Sequence, residues 1–145
     1  MIFDVLATLC AALFAGAALY VNLVEHPARM TTGPEAALRQ WGPSYHRATV
    51  MQASLAVVGT LAGLAAWLGG QGRSWLVGGL LLGAVVPFTL IVVLPTNRRL
   101  ERLSAESDPA LVSSLLTRWA QLHGVRSLLS LAALVVFVLA LRRSS

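Results

Sequence analysis

Long uncharged runs alternate with short polar segments along the chain. Four membrane spans are predicted, at about 3–24, 48–69, 75–97 and 119–141. Each is long enough to cross a bilayer, because about 20 residues at roughly 1.5 Å each give a helix of about 30 Å. The fourth span reaches this length only if it begins near Trp119, which places His123 and Arg126 in its first turns. The pattern predicts an all-α integral membrane four-helix bundle, formed by a single transmembrane domain, 1–145.

Two long loops and one tight turn connect the predicted spans, at 25–47, 98–118 and 69–73. The first loop has room for a short helix at 34–45, which Pro43 is expected to break or end. The second loop is predicted to hold a short surface helix at 109–118, with Asp108 as its N-cap and Pro109 at its first position.

Small residues recur at helical spacing in the second and third spans. The pairs are Gly59 with Gly63 and Gly79 with Gly83. Glycines four apart let helix backbones approach closely, although glycine is also common in membrane helices generally. Pro87 is expected to kink the third span, and Thr89 to help satisfy the freed carbonyl groups.

Segments 39–47 and 118–126 share a pattern. In each, an arginine and a tryptophan come first, an aromatic or imidazole ring follows four residues after the tryptophan, and an arginine opens the next span. Each copy also follows a span that ends in a proline, Pro27 or Pro95. One hypothesis is a duplicated helical hairpin with an axis along the membrane normal. The alternative is chance, helped by the preference of membrane interfaces for Trp and Arg.

Composition narrows the class of protein. Of the 145 residues, 57% are hydrophobic and 12% are charged, against about 25% charged in soluble domains. An ordinary soluble globule and a disordered chain are both excluded. Cys10 is the only cysteine, which excludes a disulfide scaffold and a thiol relay.

The formal net charge is +5, and all eleven basic residues are arginines. They stand beside the apolar runs, which indicates contact with lipid headgroups and no binding of nucleic acid. Arg29, Arg39, Arg47, Arg98, Arg99, Arg102, Arg118 and Arg126 lie on the side of the long loops, and Arg73, Arg142 and Arg143 on the other. The eight arginines on one side against three on the other predict that the long loops are cytoplasmic and that the termini are external, in a bacterial-type inner membrane. A signal peptide is disfavoured for the first span, because it lacks a positive start and carries Asp4.

Polar residues crowd the span ends on one side of the membrane. They are Glu25, His26, Trp41, Tyr45, His46, Arg47, Pro95, Thr96, Asn97, Arg98, Trp119, His123 and Arg126. No acid, histidine or arginine falls in the middle of a predicted span, which argues against a pump or an ion-coupled carrier. The plain explanation is that helix ends meet headgroups, with Asn97 as a C-cap and Pro27 and Pro95 as helix ends.

A site within the bundle mouth is the alternative explanation. Trp119, His123 and Arg126 share one helix face, and Trp41 and Tyr45 share another if that segment is helical. Facing inward, these two stripes would form a polar, aromatic pocket with Glu25 and His26 at its rim.

Metal binding is an open alternative for the histidines. Glu25, His26 and His123 supply the two-histidine, one-carboxylate set of non-haem iron sites, and the same donors suit copper. His26 and His123 are also the residues available as axial ligands of a haem. The spacing matches no local metal motif, so the absence of any metal stays open too.

Several short segments together resemble one family. They are 24–30, 41–45, 87–90, 94–100 and 119–126, and they cover nearly the whole chain in order. The chain resembles the anthrone-oxygenase-like family of small four-helix membrane proteins, whose fungal members oxidise anthrones to anthraquinones. The resemblance implies the same membrane fold and the candidate site residues Glu25, His26, Tyr45, Asn97, His123 and Arg126. It does not extend to His46 and implies no particular cofactor.

Two functional hypotheses follow. The first is an oxygenase or oxidoreductase for an apolar aromatic or quinone-like molecule, stacked between Trp41, Trp119 and Tyr45. His123 would act as the base, Arg126 and Asn97 would stabilise the enolate oxygen, and Glu25 and His26 would complete the catalytic set. The second is a non-catalytic membrane partner subunit or a small-molecule carrier. A homo-oligomer stays open under both.

Overall fold

The computed structural model describes residues 2–144, and these residues form four long helices. The helices are α1 (Ile2–Met30), α2 (Pro34–Leu68), α3 (Arg73–Glu101) and α4 (Pro109–Ser144), and no strand occurs within residues 2–144. All four are long and apolar enough to cross a membrane. The prediction of an all-α, integral membrane four-helix protein is confirmed.

The four helices pack as a square, in which α1 and α3 each contact both α2 and α4. Short connections make consecutive helices run antiparallel. The connections 31–33 and 102–108 therefore lie at one end of the bundle, called here the turn end. The chain termini and the turn 69–72 lie at the other, the terminal end.

The long loops predicted from the sequence are mostly helical, which corrects that expectation. Only residues 31–33 separate α1 from α2. Pro43 neither breaks nor ends α2. It is exposed at the surface of the helix, where solvent can satisfy the carbonyl group that loses its partner.

The predicted surface helix at 109–118 and the fourth span are one continuous helix. Its start is fixed as expected, because Pro109 occupies the first position and Asp108 Oδ1 accepts a hydrogen bond from the Ala110 N–H at 3.0 Å. The helix therefore begins well before Trp119. His123 and Arg126 therefore lie near the middle of α4, which corrects the prediction that they occupy the first turns of the fourth helix.

Pro27 and Pro95 do not end their helices. Each follows a π-helical turn, Val21–Glu25 in α1 and Thr89–Val93 in α3, which begins six residues before the proline. A π-turn adds one residue to the helix and absorbs a local break in the hydrogen-bond ladder. The matching turns support the hypothesis of a duplicated hairpin, which stays a prediction.

Pro87 interrupts α3 at Ala84, where the helix Arg73–Gly83 gives way to Val85–Phe88. The hydroxyl of Thr89 donates to the Val85 carbonyl at 2.7 Å. Proline removes the bond to the residue four before it, which is Gly83. The expected help from Thr89 therefore goes to a different carbonyl group.

The four glycines mark close helix contacts within the bundle, and the predicted packing role is confirmed. A Cβ atom on Gly63 would lie 3.2 Å from the Cα of Gly79, and one on Gly59 would lie 2.8 Å from the Cβ of Cys10. A Cβ on Gly83 would lie 3.0 Å from the Thr60 methyl carbon. Side chains at these positions would push α2 away from α1 and α3.

The interior has two apolar cores with polar residues between them. The terminal core includes Phe14, Trp75, Leu82 and Phe137. The turn-side core includes Trp41, Leu100, Leu116 and Trp119. The polar layer comprises buried or half-buried side chains from three helices: Asn22, His26, Gln52, His123, Arg126 and Ser127.

Candidate functional site

The polar, aromatic stripe of α4 faces the bundle interior. Trp119, His123 and Arg126 are 5%, 2% and 8% exposed. Their spacing puts them on one helix face, and that face is the one covered by α1 and α2. These side chains are therefore not headgroup anchors.

The stripe predicted for α2 is also helical and meets the stripe of α4. Trp41 stacks on Tyr45 with ring centroids 4.9 Å apart and planes 4° apart. The edge of Trp41 meets Trp119 at 6.1 Å. Trp119 also contacts His26 and His123. The distances between the ring centroids are 5.4 Å to His26 and 4.9 Å to His123. The sequence-predicted aromatic and imidazole residues thus form one cluster.

His123 is held by a residue that the sequence analysis did not single out. Asn22, in the π-turn of α1, lies with its Oδ1 2.7 Å from His123 Nδ1. Its Nδ2 donates to the Ala120 carbonyl at 2.9 Å, and its Oδ1 also accepts from the Ser127 hydroxyl at 2.7 Å. Three hydrogen bonds therefore join α1 to α4 at this level.

These bonds fix which nitrogen of His123 carries a proton. The Ala120 carbonyl can only accept, so the amide nitrogen of Asn22 must face it. The amide oxygen then faces His123 Nδ1, which must be the N–H donor. In the neutral imidazole, Nε2 carries a lone pair. It has no hydrogen-bond partner among the described residues, so the geometry is that of an oriented general base.

Arg126 is buried without a carboxylate partner in the described part of the chain. Its Nη2 donates to Gln52 Oε1 at 2.7 Å, and its guanidinium lies 5.7 Å from the centre of the Phe14 ring. Arg126 Nε and Gln52 Nε2 are buried and have no hydrogen-bond partner within residues 2–144. This arrangement leaves donors and a positive charge available for a carbonyl or anionic oxygen.

Glu25 belongs to a separate network near the turn end. Its Oε1 accepts hydrogen bonds from Arg29 and, at 2.8 Å, from Ser44. Arg29 also donates to the Ser44 hydroxyl at 3.1 Å. Glu25 is therefore the counter-ion of Arg29 and ties α1 to α2.

The predicted metal-ligand set of Glu25, His26 and His123 is not formed. Residues 2–144 bring no three His, Cys, Asp or Glu side chains together in a group that could hold a metal ion. The reason is geometric: Glu25 turns toward Arg29 and Ser44, while His123 turns toward Asn22. The proposed iron or copper site therefore has no ligand set here.

Asn97 is buried inside α3 and does not cap a helix, which corrects the predicted C-cap. Neither polar atom of its side chain has a partner in the described residues, and the same is true of His26 Nδ1 and Trp41 Nε1. Asn97 lines neither of the cavities next to Arg126. The interior near the turn-side core thus holds several polar atoms that the bundle itself does not use.

Two adjoining cavities reach the polar layer. One of about 120 Å³ lies between α2 and α3, and Gln52, Ala53, Leu90 and Arg126 are among its lining residues. The other, about 10 Å³, is lined by Tyr45, Trp119 and His123 among others. Thr49, Gln52 and Arg126 line both. The donor pair therefore borders both cavities, and the base borders the smaller one.

Sequence reasoning missed Asn22, Ser44, Gln52 and Ser127. Asn22 has the spacing of one helix face with Glu25, His26 and Arg29. That spacing does not show that Asn22 faces α4 while Glu25 faces α2. Gln52 stands alone in an apolar run, and nothing in its neighbours reveals that it meets Arg126 across the bundle. Its partner is 74 residues away.

Comparisons with known proteins give one consistent result. A family described as anthrone oxygenase matches residues 41–136. An anthrone oxygenase of Aspergillus fumigatus is 32% identical over an alignment of 140 positions that covers 90% of this chain and 87% of that protein. One of Cryptosporiopsis is 28% identical over 90% of this chain and 80% of its own length. One of Claviceps purpurea is 29% identical over 84% of this chain and 78% of its own length. No solved structure matches.

Proposed function

The chain belongs to the anthrone oxygenase family, and we propose that it is a membrane oxygenase for an anthrone-like tricyclic ketone. The names of its relatives suggest the reaction, in which the ring methylene of an anthrone becomes the second carbonyl of a quinone. Dioxygen supplies the new carbonyl oxygen, and its other oxygen atom leaves as water. The observation that carries the proposal is an oriented histidine base beside a buried arginine without a carboxylate.

His123 begins the reaction in this proposal. Its Nε2 takes one proton from the ring methylene, and the electron pair of that C–H bond moves through the conjugated rings to the carbonyl oxygen. The N–H of His123 stays on Asn22, which keeps the lone pair on the reacting side. A positioned base of this kind contributes about 10²–10⁴ to a rate.

Arg126 and Gln52 receive the charge that develops on the oxygen. Arg126 Nε and Gln52 Nε2 are two of the buried donors that have no partner in residues 2–144, and such donors act strongly where water is excluded. The sequence analysis expected Asn97 to stabilise the enolate oxygen together with Arg126. Asn97 lines neither cavity, so Gln52 takes that role in this proposal.

Dioxygen then reacts with the carbanion, which supplies two electrons and forms a carbon–oxygen bond. Protonation gives a hydroperoxide. Loss of the second methylene proton and cleavage of the O–O bond leave the carbonyl, and the departing hydroxide leaves as water after protonation. The substrate is the reductant and dioxygen the oxidant, so atoms and electrons balance with no further reactant.

The direct test uses the protein in lipid nanodiscs with anthrone and ¹⁸O₂. We expect anthraquinone that carries one ¹⁸O atom, formed faster than in empty nanodiscs. His123→Ala should lower the rate by about 10²–10⁴. His46→Ala is the control, because His46 is an exposed histidine paired with Glu101 at 3.6 Å. Equal rates for His123→Ala and the unchanged protein would contradict the proposed role.

We also propose that the turn end faces the cytoplasm. Arg29 and Arg126 are buried, so they are not counted when the arginines at the two ends of the bundle are compared. Six exposed arginines then lie toward the turn end and three toward the terminal end: Arg39, Arg47, Arg98, Arg99, Arg102 and Arg118 against Arg73, Arg142 and Arg143. The bias agrees with the positive-inside rule. An impermeant thiol reagent should label Ser107→Cys from the cytoplasmic side alone.

A further inference from the structure

Two of the four seams between neighbouring helices differ at the level of the polar layer. One lies between α1 and α4, and the other lies between α2 and α3. The α1–α4 seam is closed by the three hydrogen bonds of Asn22. The α2–α3 seam holds the 120 Å³ cavity at this level. Among the described residues, its only side-chain polar link is the His46–Glu101 ion pair, which lies near the turn end.

The mouth of this cavity is open at the outer surface of the bundle. Thr49, Ala53 and Leu90 line it and are exposed, Leu90 by 59%. In a membrane-spanning helix these positions face lipid. An apolar molecule dissolved in the bilayer can therefore reach the mouth without passing through water.

The deep end of the cavity is chemically different from its mouth. Gln52 is 1% exposed, Arg126 is 8% exposed, and both present a buried donor without a partner in residues 2–144. Phe14, fully buried, also lines the cavity and offers an aromatic surface. An apolar passage that ends in cationic and amide donors fits a flat aromatic molecule with an oxygen at one edge.

We propose that the ligand enters from the bilayer between α2 and α3 and binds with its carbonyl or ionised oxygen at Arg126 and Gln52. This inference rests on the proposed function, for which it names the entry route and the mode of binding. Pockets that enclose a whole drug-sized ligand are about 300 Å³ or larger, whereas this cavity is about 120 Å³. The cavity therefore holds only the part of the ligand that bears the oxygen, and the rest of the ring system extends between the helices toward the mouth.

The interruption of α3 lies beside this route. Val85, Val86 and Thr89 line the cavity and flank Pro87. A helix that already lacks a backbone hydrogen bond bends there at lower cost than an intact one. The seam can therefore widen at this level for a planar ligand.

The test is equilibrium binding of 1,8-dihydroxyanthraquinone to the protein in nanodiscs, with empty nanodiscs to subtract partition into lipid. Ala53→Trp fills the mouth from α2, and Leu90→Trp fills it from α3. Met51→Trp is the matched control, because Met51 is 47% exposed on α2 and does not line the cavity. We expect both mouth variants to bind the quinone about tenfold more weakly or worse and Met51→Trp to bind normally.

Circular dichroism and thermal unfolding establish that each variant is folded. Unchanged binding by a folded Ala53→Trp and a folded Leu90→Trp would overturn the entry route. An equal loss in Met51→Trp would overturn it as well, since the effect would then not be specific to the mouth. Turnover of anthrone separates this inference from the proposed function: quinone binding that depends on the mouth, without any turnover, would contradict the oxygenase and leave the ligand site supported.

Discussion

Two arginines are buried in the bundle, and their surroundings are opposite. The Arg29 side chain, which is fully buried, has Glu25 as its counter-ion and Ser44 as a second partner. Arg126, at mid-height of α4, has the neutral amide of Gln52 and the face of Phe14. The positive charge of Arg29 is neutralised by a carboxylate of the protein. The positive charge of Arg126 pairs with no carboxylate in the described residues.

The difference separates a structural charge from one kept for a ligand. The two sites differ in charge neutralisation and not in free donors, because Arg29 Nε and Nη1, like Arg126 Nε, have no hydrogen-bond partner in residues 2–144. The charge of Arg29 is neutralised by Glu25 and has little left to offer another molecule. A buried arginine without a carboxylate is costly to keep, particularly at membrane depth, where ionisable residues usually serve function. We therefore assign Arg29 to holding α1 against α2 and Arg126 to binding an oxygen.

Among the substitutions that compare the two buried arginines, the largest effect is expected from Arg126→Met. Loss of a preorganised donor to a developing oxyanion lowers turnover by about 10²–10³, or roughly 2.7–4 kcal/mol. The unfolding free energy should not fall, because methionine fills a similar volume and removes an uncompensated charge. Anthrone turnover and unfolding by sodium dodecyl sulfate in mixed micelles measure the two quantities.

Arg118→Met is the matched control, because Arg118 is an exposed arginine of the same helix. Its turnover should equal that of the unchanged protein. If Arg126→Met lost stability while keeping turnover, Arg126 would be a structural residue like Arg29, and the contrast between the two sites would disappear.

Glu25→Gln should have the opposite profile. It leaves the Arg29 side chain, 0% exposed, without a counter-ion, while Glu25 itself is 23% exposed. Breaking a buried pair costs about 3–5 kcal/mol, and partial exposure places this pair near 3 kcal/mol of unfolding free energy.

Ser44→Ala is the control for that loss, since it removes the two hydrogen bonds of the Ser44 hydroxyl and keeps the ion pair. Its cost should be about 0.5–1.5 kcal/mol for each hydrogen bond. Residual folded Glu25→Gln should keep most of its turnover per folded molecule. A catalytic role for Glu25, as expected from the sequence, requires instead that turnover fall while stability holds.

Much of the fold was readable from the sequence because helix periodicity and apolar length are local properties. The four spans and the shared helix face of Trp119, His123 and Arg126 are such properties, whereas the inward direction of that face was one of two alternatives. The extent of α4 was not readable, because its polar first turns look like a separate surface helix when read alone. In the structure they continue the same hydrogen-bond ladder from Pro109.

The site was less predictable because its contacts depend on register and on partners far apart in the chain. The π-turn at Val21–Glu25 rotates the following residues by about 100° relative to an uninterrupted helix. No count of spacings gives the directions of Asn22 toward α4 and Glu25 toward α2. The pairing of Gln52 with Arg126 likewise exists only once α2 and α4 meet.

The smallest of these effects, and the most specific, is expected from Asn22→Leu. The change removes the acceptor that holds the proton on His123 Nδ1, so the proton can move to Nε2 and block the base. Turnover should fall about tenfold, and ¹⁵N shifts of the imidazole should show the changed tautomer. His123→Ala identifies the signal. Ser127→Ala removes another donor to the same oxygen and should leave the tautomer unchanged. If Asn22→Leu kept the Nδ1 proton, Asn22 would join helices without orienting the base.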